Sequence, residues 1–265
     1  MRAAVLIPSR NRPEMLGRLV ASLVDQERLA MPVIVGLSQR DPGRQAIEHW
    51  DQVNYIKVVS CPIGVGAARH RMIELAHKWG YRRILFIDDD CRVKVAAINS
   101  FMEEFRKAGV VWYAAWNSYY DLIGSHIGNT SMVYGLDVPA VVKIGNFDPR
   151  LKFAEDHDLR LRLLLRYGPD FWCHSRALVL RHLTKRSDTS SKGGVTEYSR
   201  SRAEQHAAYL NQKFGWEVAR ARKFDVHIRY VAFTNALIKG EVKKTYTIKA
   251  LQGGWLNAAI RGRSR

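Results

Sequence analysis

The chain has 265 residues, 47% of them apolar, enough to bury a sizeable core and too many for a disordered tail. Its formal net charge is +17, and residues 181–265 carry 18 Lys/Arg against 6 Asp/Glu, so the excess is concentrated in the last third. No apolar run approaches the about 20 residues needed to span a bilayer, and Cys61, Cys91 and Cys173 form neither a CxxC pair nor a zinc-like spacing, so free thiols in a reducing compartment are expected.

Met1 runs almost directly into Ala3-Ala4-Val5-Leu6-Ile7 and Pro8, a buried strand too short for a signal-peptide core, and the expected location is cytoplasmic. Ser9 to Arg12 is a polar loop. Pro13 then suits the first turn of a helix along which Leu16, Leu19, Val20, Leu23 and Val24 recur at helical spacing. Residues 32–37 and 55–59 read as the second and third strands. Gly64-Val65-Gly66 opens a helix that Gly80 ends. Ile84 to Ile87 is a fourth apolar strand and runs straight into Asp88-Asp89-Asp90. A helix over 95–107 closes at Gly109, and 110–115 is a further strand.

Residues 116–129 are aromatic and polar without a clear period, and 133–144 are apolar. Gly145 to Pro149 is a turn, and 155–167 is a helix rich in arginine. A short strand covers 177–180, followed by a polar loop over 187–194 and helical patterns over 198–214 and 225–239. The β-α-β-α order predicts an α/β fold with a mainly parallel sheet covered by helices, a domain over 1–185 and a basic, mainly helical extension over 186–265. Ligands of such sheets sit at the carboxyl ends of the strands. The loops after Pro8, Leu37, Val59 and Ile87 are therefore expected to converge on one site.

Three adjacent carboxylates, Asp88, Asp89 and Asp90, repel one another, and a divalent cation at a strand end relieves that repulsion. Mg²⁺ and Mn²⁺ favour oxygen ligands and bridge carboxylates to phosphates; the bland alternative is an acidic turn at a helix N-terminus. Glu155, Asp156 and Asp158 open the arginine-rich helix. One of them could act as general base toward a hydroxyl, or the group could simply complement the helix dipole, with Asp158 pairing Arg162 at i,i+4.

Taken together these motifs resemble a known family. Ile7-Pro8-Ser9-Arg10-Asn11-Arg12 looks like the opening strand and nucleotide loop of family-2-like glycosyltransferases, and Phe86 to Asp90 looks like their DxD motif. Lys143 to Asp148, followed by Glu155-Asp156-His157-Asp158-Leu159-Arg160-Leu161-Arg162, is similar to their "GxFD … ED-x-D-L-x-x-R" segment. The likeness covers about residues 3 to 184. It implies a GT-A fold, Rossmann-like, and a Mn²⁺- or Mg²⁺-dependent transfer of sugar from a nucleotide-sugar donor.

By the same resemblance Pro8, Ser9, Arg10 and Arg12 line the nucleotide pocket. Asp88, Asp89 and Asp90 meet metal, ribose or diphosphate, with Asp88 and Asp90 on the metal. Asp156, beside Glu155, is the base of an inverting displacement, and Gly145 allows a close turn beside the donor sugar. His182 stands where some such enzymes place another metal or diphosphate ligand, or is merely structural. Lys185 and Arg186 could neutralise the leaving diphosphate. Arg69, near the start of its helix, could touch phosphate or sugar, or only pack there.

One place departs from the family pattern. Where many members carry an acidic cluster that reads uracil, this chain reads Leu37-Ser38-Gln39-Arg40-Asp41. Only Asp41 remains acidic, which leaves the donor base open, although a UDP-sugar is favoured. His70 and His77 share a helix face without zinc-like partners and read as core or surface histidines.

The acceptor is read from charge and rings. Trp112, Trp116, Tyr119, Tyr120 and Trp172 could stack on sugars or bases, or be core. The basic last third carries Tyr198, Tyr209, Trp216, Tyr230, Tyr246 and Trp255, a mixture that suits nucleic acid. Residues 187–202 resemble, more loosely, phage glycosyltransferases that act on hydroxymethylated pyrimidines in DNA, and such DNA is the expected acceptor. Synthesis of a cell-surface polysaccharide or glycolipid is the alternative, with the basic tail on anionic lipid. A non-enzymatic nucleic-acid-binding module on the same fold is a third reading.

Overall fold

The structure is a computed structural model. It describes residues 2–24, 29–50, 55–116, 133–151, 155–167, 171–179 and 181–182. In chain order these form β1 (Ala3–Pro8), α1 (Pro13–Val24), β2 (Val33–Leu37), α2 (Gly43–Ile47) with a 3₁₀ turn (Glu48–Trp50), β3 (Ile56–Ser60), α3 (Val65–Lys78) and β4 (Arg83–Ile87). Then come β5 (Cys91–Arg92), α4 (Val95–Ala108), β6 (Trp112–Trp116), β7 (Val133–Asp137), α5 (Val138–Lys143), α6 (Glu155–Tyr167), β8 (Trp172–Val179) and β9 (Arg181–His182).

Seven strands form one sheet in the order β3-β2-β1-β4-β7-β6-β8, and β5 pairs with β9 in a separate ribbon. The pairs β3–β2, β2–β1, β1–β4 and β6–β8 are parallel, and β7 runs antiparallel to both β4 and β6. The expected mainly parallel α/β sheet is therefore present. Its central strands are buried on both faces, so β1, β2 and β4 read as continuous apolar runs. Val5, Ile7, Val33, Val35, Leu85 and Ile87 pack with Leu16, Leu19, Val20 and Leu23 of α1 and with Ile98, Phe101 and Phe105 of α4. The alternate positions face α3, where a Cβ on Gly36 would lie 2.5 Å from the Met72 sulfur.

The glycine helix end read at Gly109 is present, and α5 has a cap not read from sequence. Gly109 adopts the left-handed conformation that closes α4, with φ 69°. Asp137 caps α5, accepting a hydrogen bond from the Ala140 amide at 3.1 Å, and Pro139 sits in its first turn.

Two elements differ from expectation. The apolar stretch 133–144 is a strand followed by a short helix, and the last long strand starts at Trp172, five residues earlier than its readable part. The sheet and its covering helices belong to one unit, residues 1–159 and 171–183, and residues 160–167 of α6 belong to a second. The expected C-terminal extension and Lys185 lie outside the described residues, as do Tyr119 and Tyr120. Among the described residues no helix is long and apolar enough to cross a membrane.

Candidate active site

The C-terminal ends of β1, β2, β3 and β4 lie side by side, so the loops that follow them share one edge of the sheet. After β1 the chain turns through Asn11, whose φ of 54° is left-handed. That loop delivers two side chains to the acidic end of β4. The Ser9 hydroxyl donates to Asp89 at 2.6 Å. Arg12 Nη1 donates to Asp89 at 2.9 Å and to Asp90 at 3.3 Å. Pro8 and Ser9 are half-buried beside them, and Arg10 points to solvent.

The three aspartates do not share one environment. Asp89 and Asp90 are buried and face Arg12. Asp88, with 28% of its side chain exposed, faces away to Arg69, whose Nη2 lies 2.8 Å from it. Desolvation, helped by Asp90 and Asp89, pushes the Asp88 carboxyl up to about 7 against the pull of Arg69. Burial raises Asp89 too, opposed by Arg12 and Ser9.

Arg69 joins the two acidic signals. Its guanidinium also bonds Glu155 at the start of α6, 86 positions along the chain. It is held between the rings of Phe86 on β4 and Tyr134 on β7, at 5.7 and 5.6 Å from their centroids. Burial disfavours its charge, yet Tyr134, Glu155, Asp88 and Asp156 more than compensate, and it stays firmly protonated. The Tyr134 hydroxyl is itself buried and has no hydrogen-bond partner among the described residues. Asp156 and Asp158 are buried beside Glu155, at 5% and 0% exposure.

The turn before α6 is locked to α3. Gly66 lies so close that a Cβ there would meet the Leu151 carbonyl oxygen at 2.5 Å and that of Asp148 at 2.6 Å, both backbone atoms. The Gly66 amide donates to Leu151 at 3.2 Å. His70 Nδ1 lies 2.6 Å from the Phe147 carbonyl, and Asn146 Nδ2 donates to the His70 carbonyl at 3.0 Å. Gly145 (φ 90°) and Asn146 (φ 63°) make the left-handed corner that this approach requires. Gly64-Val65-Gly66 therefore serves packing against this turn, and His70 is structural.

Asp41 is 3% exposed and commits its carboxylate to backbone. One oxygen accepts from the Asn11 amide and the other from the Gly43 amide, each at 2.9 Å. It thus ties the β1 loop to the β2 loop.

All the oxygen ligands that Asp88 and Asp90 offer suit a hard divalent cation. Because Asp88 turns to Arg69 while Asp89 and Asp90 turn to Arg12, no group of three His, Cys, Asp or Glu side chains stands in metal-holding geometry among the described residues. Backbone register sets His182 opposite Cys91, the residue after Asp90, which brings β9 to the acidic strand end. Of the two readings open for Trp112 the structure shows core: it is fully buried and stacks on Tyr134 at 4.4 Å between centroids. Sequence reasoning missed Tyr134 and Asn146. Tyr134 was masked by an unbroken apolar run, and for Asn146 the only signal was its place beside Gly145 in the turn.

A family model described as Glycosyl transferase family 2 matches residues 4–157. No curated protein sequence matches the chain. Among solved structures the chain is similar to glucosyl-3-phosphoglycerate synthase from Mycobacterium tuberculosis, crystallised with Mn²⁺, UDP and glucosyl-3-phosphoglycerate, at 14% identity over 80% of this chain and 79% of that one, with a TM-score of 0.59. It is also similar to mannosyltransferase PcManGT from Pyrobaculum calidifontis in complex with GDP-Man and Mn²⁺, at 14% identity over 98% and 80% of the two chains, with a TM-score of 0.60. For TarS from S. aureus the values are 18% identity, 90% and 79% coverage, and a TM-score of 0.56. At such identities these likenesses speak to fold.

Proposed function

We propose, for a chain that belongs to glycosyl transferase family 2 and is a glycosyltransferase of the GT-A type, that it transfers a sugar from a nucleoside-diphosphate donor with inversion at the anomeric carbon. The observation that carries the reading is the joining of the acidic end of β4 to the acidic start of α6 through Arg69. Donor phosphates and a base for the acceptor are needed side by side in such a transfer, and the closeness of the two acidic segments supports this reading.

Asp88 and Asp90, with His182 alongside, would hold Mn²⁺ or Mg²⁺, and structural neighbours solved with Mn²⁺ and nucleotide support this. When bound, the cation neutralises charge on the departing diphosphate. Ser9 and Arg12 keep Asp89 and Asp90 turned toward the nucleotide loop. Pro8, Arg10 and Lys185 would flank the nucleotide and its phosphates. Asp156 takes the proton from the acceptor hydroxyl as that oxygen bonds to the anomeric carbon. The bond from that carbon to the phosphate oxygen breaks, and the nucleoside diphosphate leaves with the electron pair. Glu155, held by Arg69, fixes the start of the helix on which Asp156 sits.

The acceptor we propose is DNA carrying hydroxymethylated pyrimidines, supported by the 18 Lys/Arg against 6 Asp/Glu of residues 181–265. The test is nucleoside diphosphate release with Mn²⁺ across a donor panel, with no acceptor, with plain DNA and with hydroxymethylated DNA. Release that requires hydroxymethylated DNA and vanishes in Asp90→Ala is expected. Release indifferent to DNA would refute the acceptor and move the search to polysaccharide and glycolipid hydroxyls. No release with any donor would refute the catalytic reading.

A further inference from the structure

The structure assigns the donor's base: we propose that the site selects guanine over uracil, through Arg44 and the neutral hydroxyls at the ends of β2 and β3. This rests on the donor-site reading above and narrows its substrate class. The sheet order fixes where a base can lie. The diphosphate belongs at Asp88–Asp90 on β4, and the transferred sugar must face Asp156, on the side where Arg69 reaches β7. Base and sugar occupy opposite ends of the diphosphate, so the base extends the other way, across β1 to the ends of β2 and β3.

Among the described residues those ends offer no carboxylate to a ligand. Leu37 is fully buried, and Asp41 is closed off, with both oxygens already accepting backbone amides. An N3–H donor of uracil therefore finds no acidic acceptor there. Arg44 occupies the place instead. Its Nε donates to the Ser38 carbonyl at 3.1 Å and its Nη2 to the Ser60 hydroxyl at 2.9 Å, so it bridges the two strand ends and keeps Nη1 to offer. The Ser38 hydroxyl makes no hydrogen bond among the described residues and is half-buried.

Positive charge is dense here. Burial pushes the Cys61 thiol up to about 11, and the opposing pull comes from Arg71 and Arg44 together. The next residues, Pro62 and Ile63, are exposed, and Ile63 at 68% is the one large apolar side chain so exposed among the described residues. Exposed apolar side chains on the loop that follows Ser60, the hydroxyl bound by Arg44, suit the face of a base. Guanine presents O6 and N7 as adjacent acceptors to the remaining Nη1 of Arg44, and its N1–H and N2–H can donate to hydroxyl oxygens. Uracil offers no comparable acceptor pair.

The test is calorimetric binding of GDP, UDP, CDP and ADP to the full chain with Mn²⁺. GDP is expected to bind tightest, by about tenfold or more over UDP, the discrimination typical of one good arginine–guanine contact. Arg44→Ala should lose that margin by weakening GDP and leaving UDP nearly unchanged. Ser38→Asp, which restores a carboxylate at the strand end, should shift preference toward UDP. UDP or CDP binding as well as GDP, or Arg44→Ala weakening all four alike, would overturn the assignment while leaving the glycosyltransferase reading intact. Binding of no nucleotide would overturn the donor site itself, and the base assignment with it.

Discussion

Replacing Arg69 with methionine keeps most of its packing against Phe86 and Tyr134 but removes the charge that reaches both Glu155 and Asp88. Arg69 and Glu155 are each only 5% exposed in their side chains, so Glu155 is left as a buried carboxylate without its guanidinium. Breaking such a pair from one side costs about 3–5 kcal/mol. The Asp88 arm, 28% exposed, adds less because solvent screens it. Without that guanidinium, burial favours the protonated form of Glu155 and raises its folded pKa above the unfolded value of about 4.3. A carboxylate raised on folding is harmless below that unfolded value and destabilises progressively as pH climbs. Arg69→Met should therefore lie close to the parent in urea unfolding near pH 4.5 and fall well below it at pH 8. Adding Glu155→Gln should restore about 2 kcal/mol or more at pH 8, a coupling that independent sites do not show. A pH-independent loss, or two substitutions that add within about 0.5 kcal/mol, would refute the bridge.

Further outcomes follow from the same geometry. Asp156→Asn should lower kcat by about 10²–10⁴-fold, the range for loss of a general base, while nucleotide affinity measured by calorimetry stays unchanged. Gly66→Ala should cost about 1–3 kcal/mol in urea unfolding, because its Cβ would press on two backbone carbonyls that cannot rotate away. Asp88, pushed by burial to about 7 in the folded chain and lying near 3.9 when unfolded, withdraws stability from the metal-free protein as pH rises from about 4 to 7. Cation binding needs the anion, so the gain in Tm from Mn²⁺ should be larger at pH 8 than at pH 5. Equal gains at the two pH values would argue against Asp88 as a ligand.

Much of this was legible in the sequence because the signals were local. The buried runs of β1 and β4, the spacing of Leu16, Leu19, Val20 and Leu23, and the glycine at 109 each declare an element within a few residues. What resisted reading was set by contacts far apart in the chain. Ser175 is fully buried in β8, because its hydroxyl donates to Glu104 at 2.6 Å, where Tyr113 donates as well at 2.7 Å. A buried polar residue satisfied by a helix 71 positions away breaks the apolar alternation that marks a strand. The role of Arg69 was likewise invisible, since helical spacing places it at an N-terminus but says nothing of Glu155. Resemblance alone places Asp41 near the donor base, and its two backbone partners, Asn11 and Gly43, could not be read from the sequence.

The balance of charges bears on how the two arginines divide their roles. Five carboxylates, those of Asp88, Asp89, Asp90, Glu155 and Asp156, surround two guanidinium groups, Arg12 and Arg69, among the described residues. The arginines keep the carboxylates apart, one drawing Asp89 and Asp90 toward β1 and the other drawing Asp88 toward α6. A divalent cation held by Asp88 and Asp90 would offset much of the remaining negative charge and would compete with the arginines for these carboxylates. Arg12, 34% exposed, can yield more readily than Arg69, which is packed between two rings. On the proposed reading Arg12 would be the guanidinium that turns toward donor phosphates once a cation is held, while Arg69 stays on Glu155. Arg12→Ala should therefore raise the KM for donor more than Arg69→Met does and cost less stability, because Arg12 is 34% exposed and Arg69 only 5%, and equal behaviour of the two would contradict this division of roles.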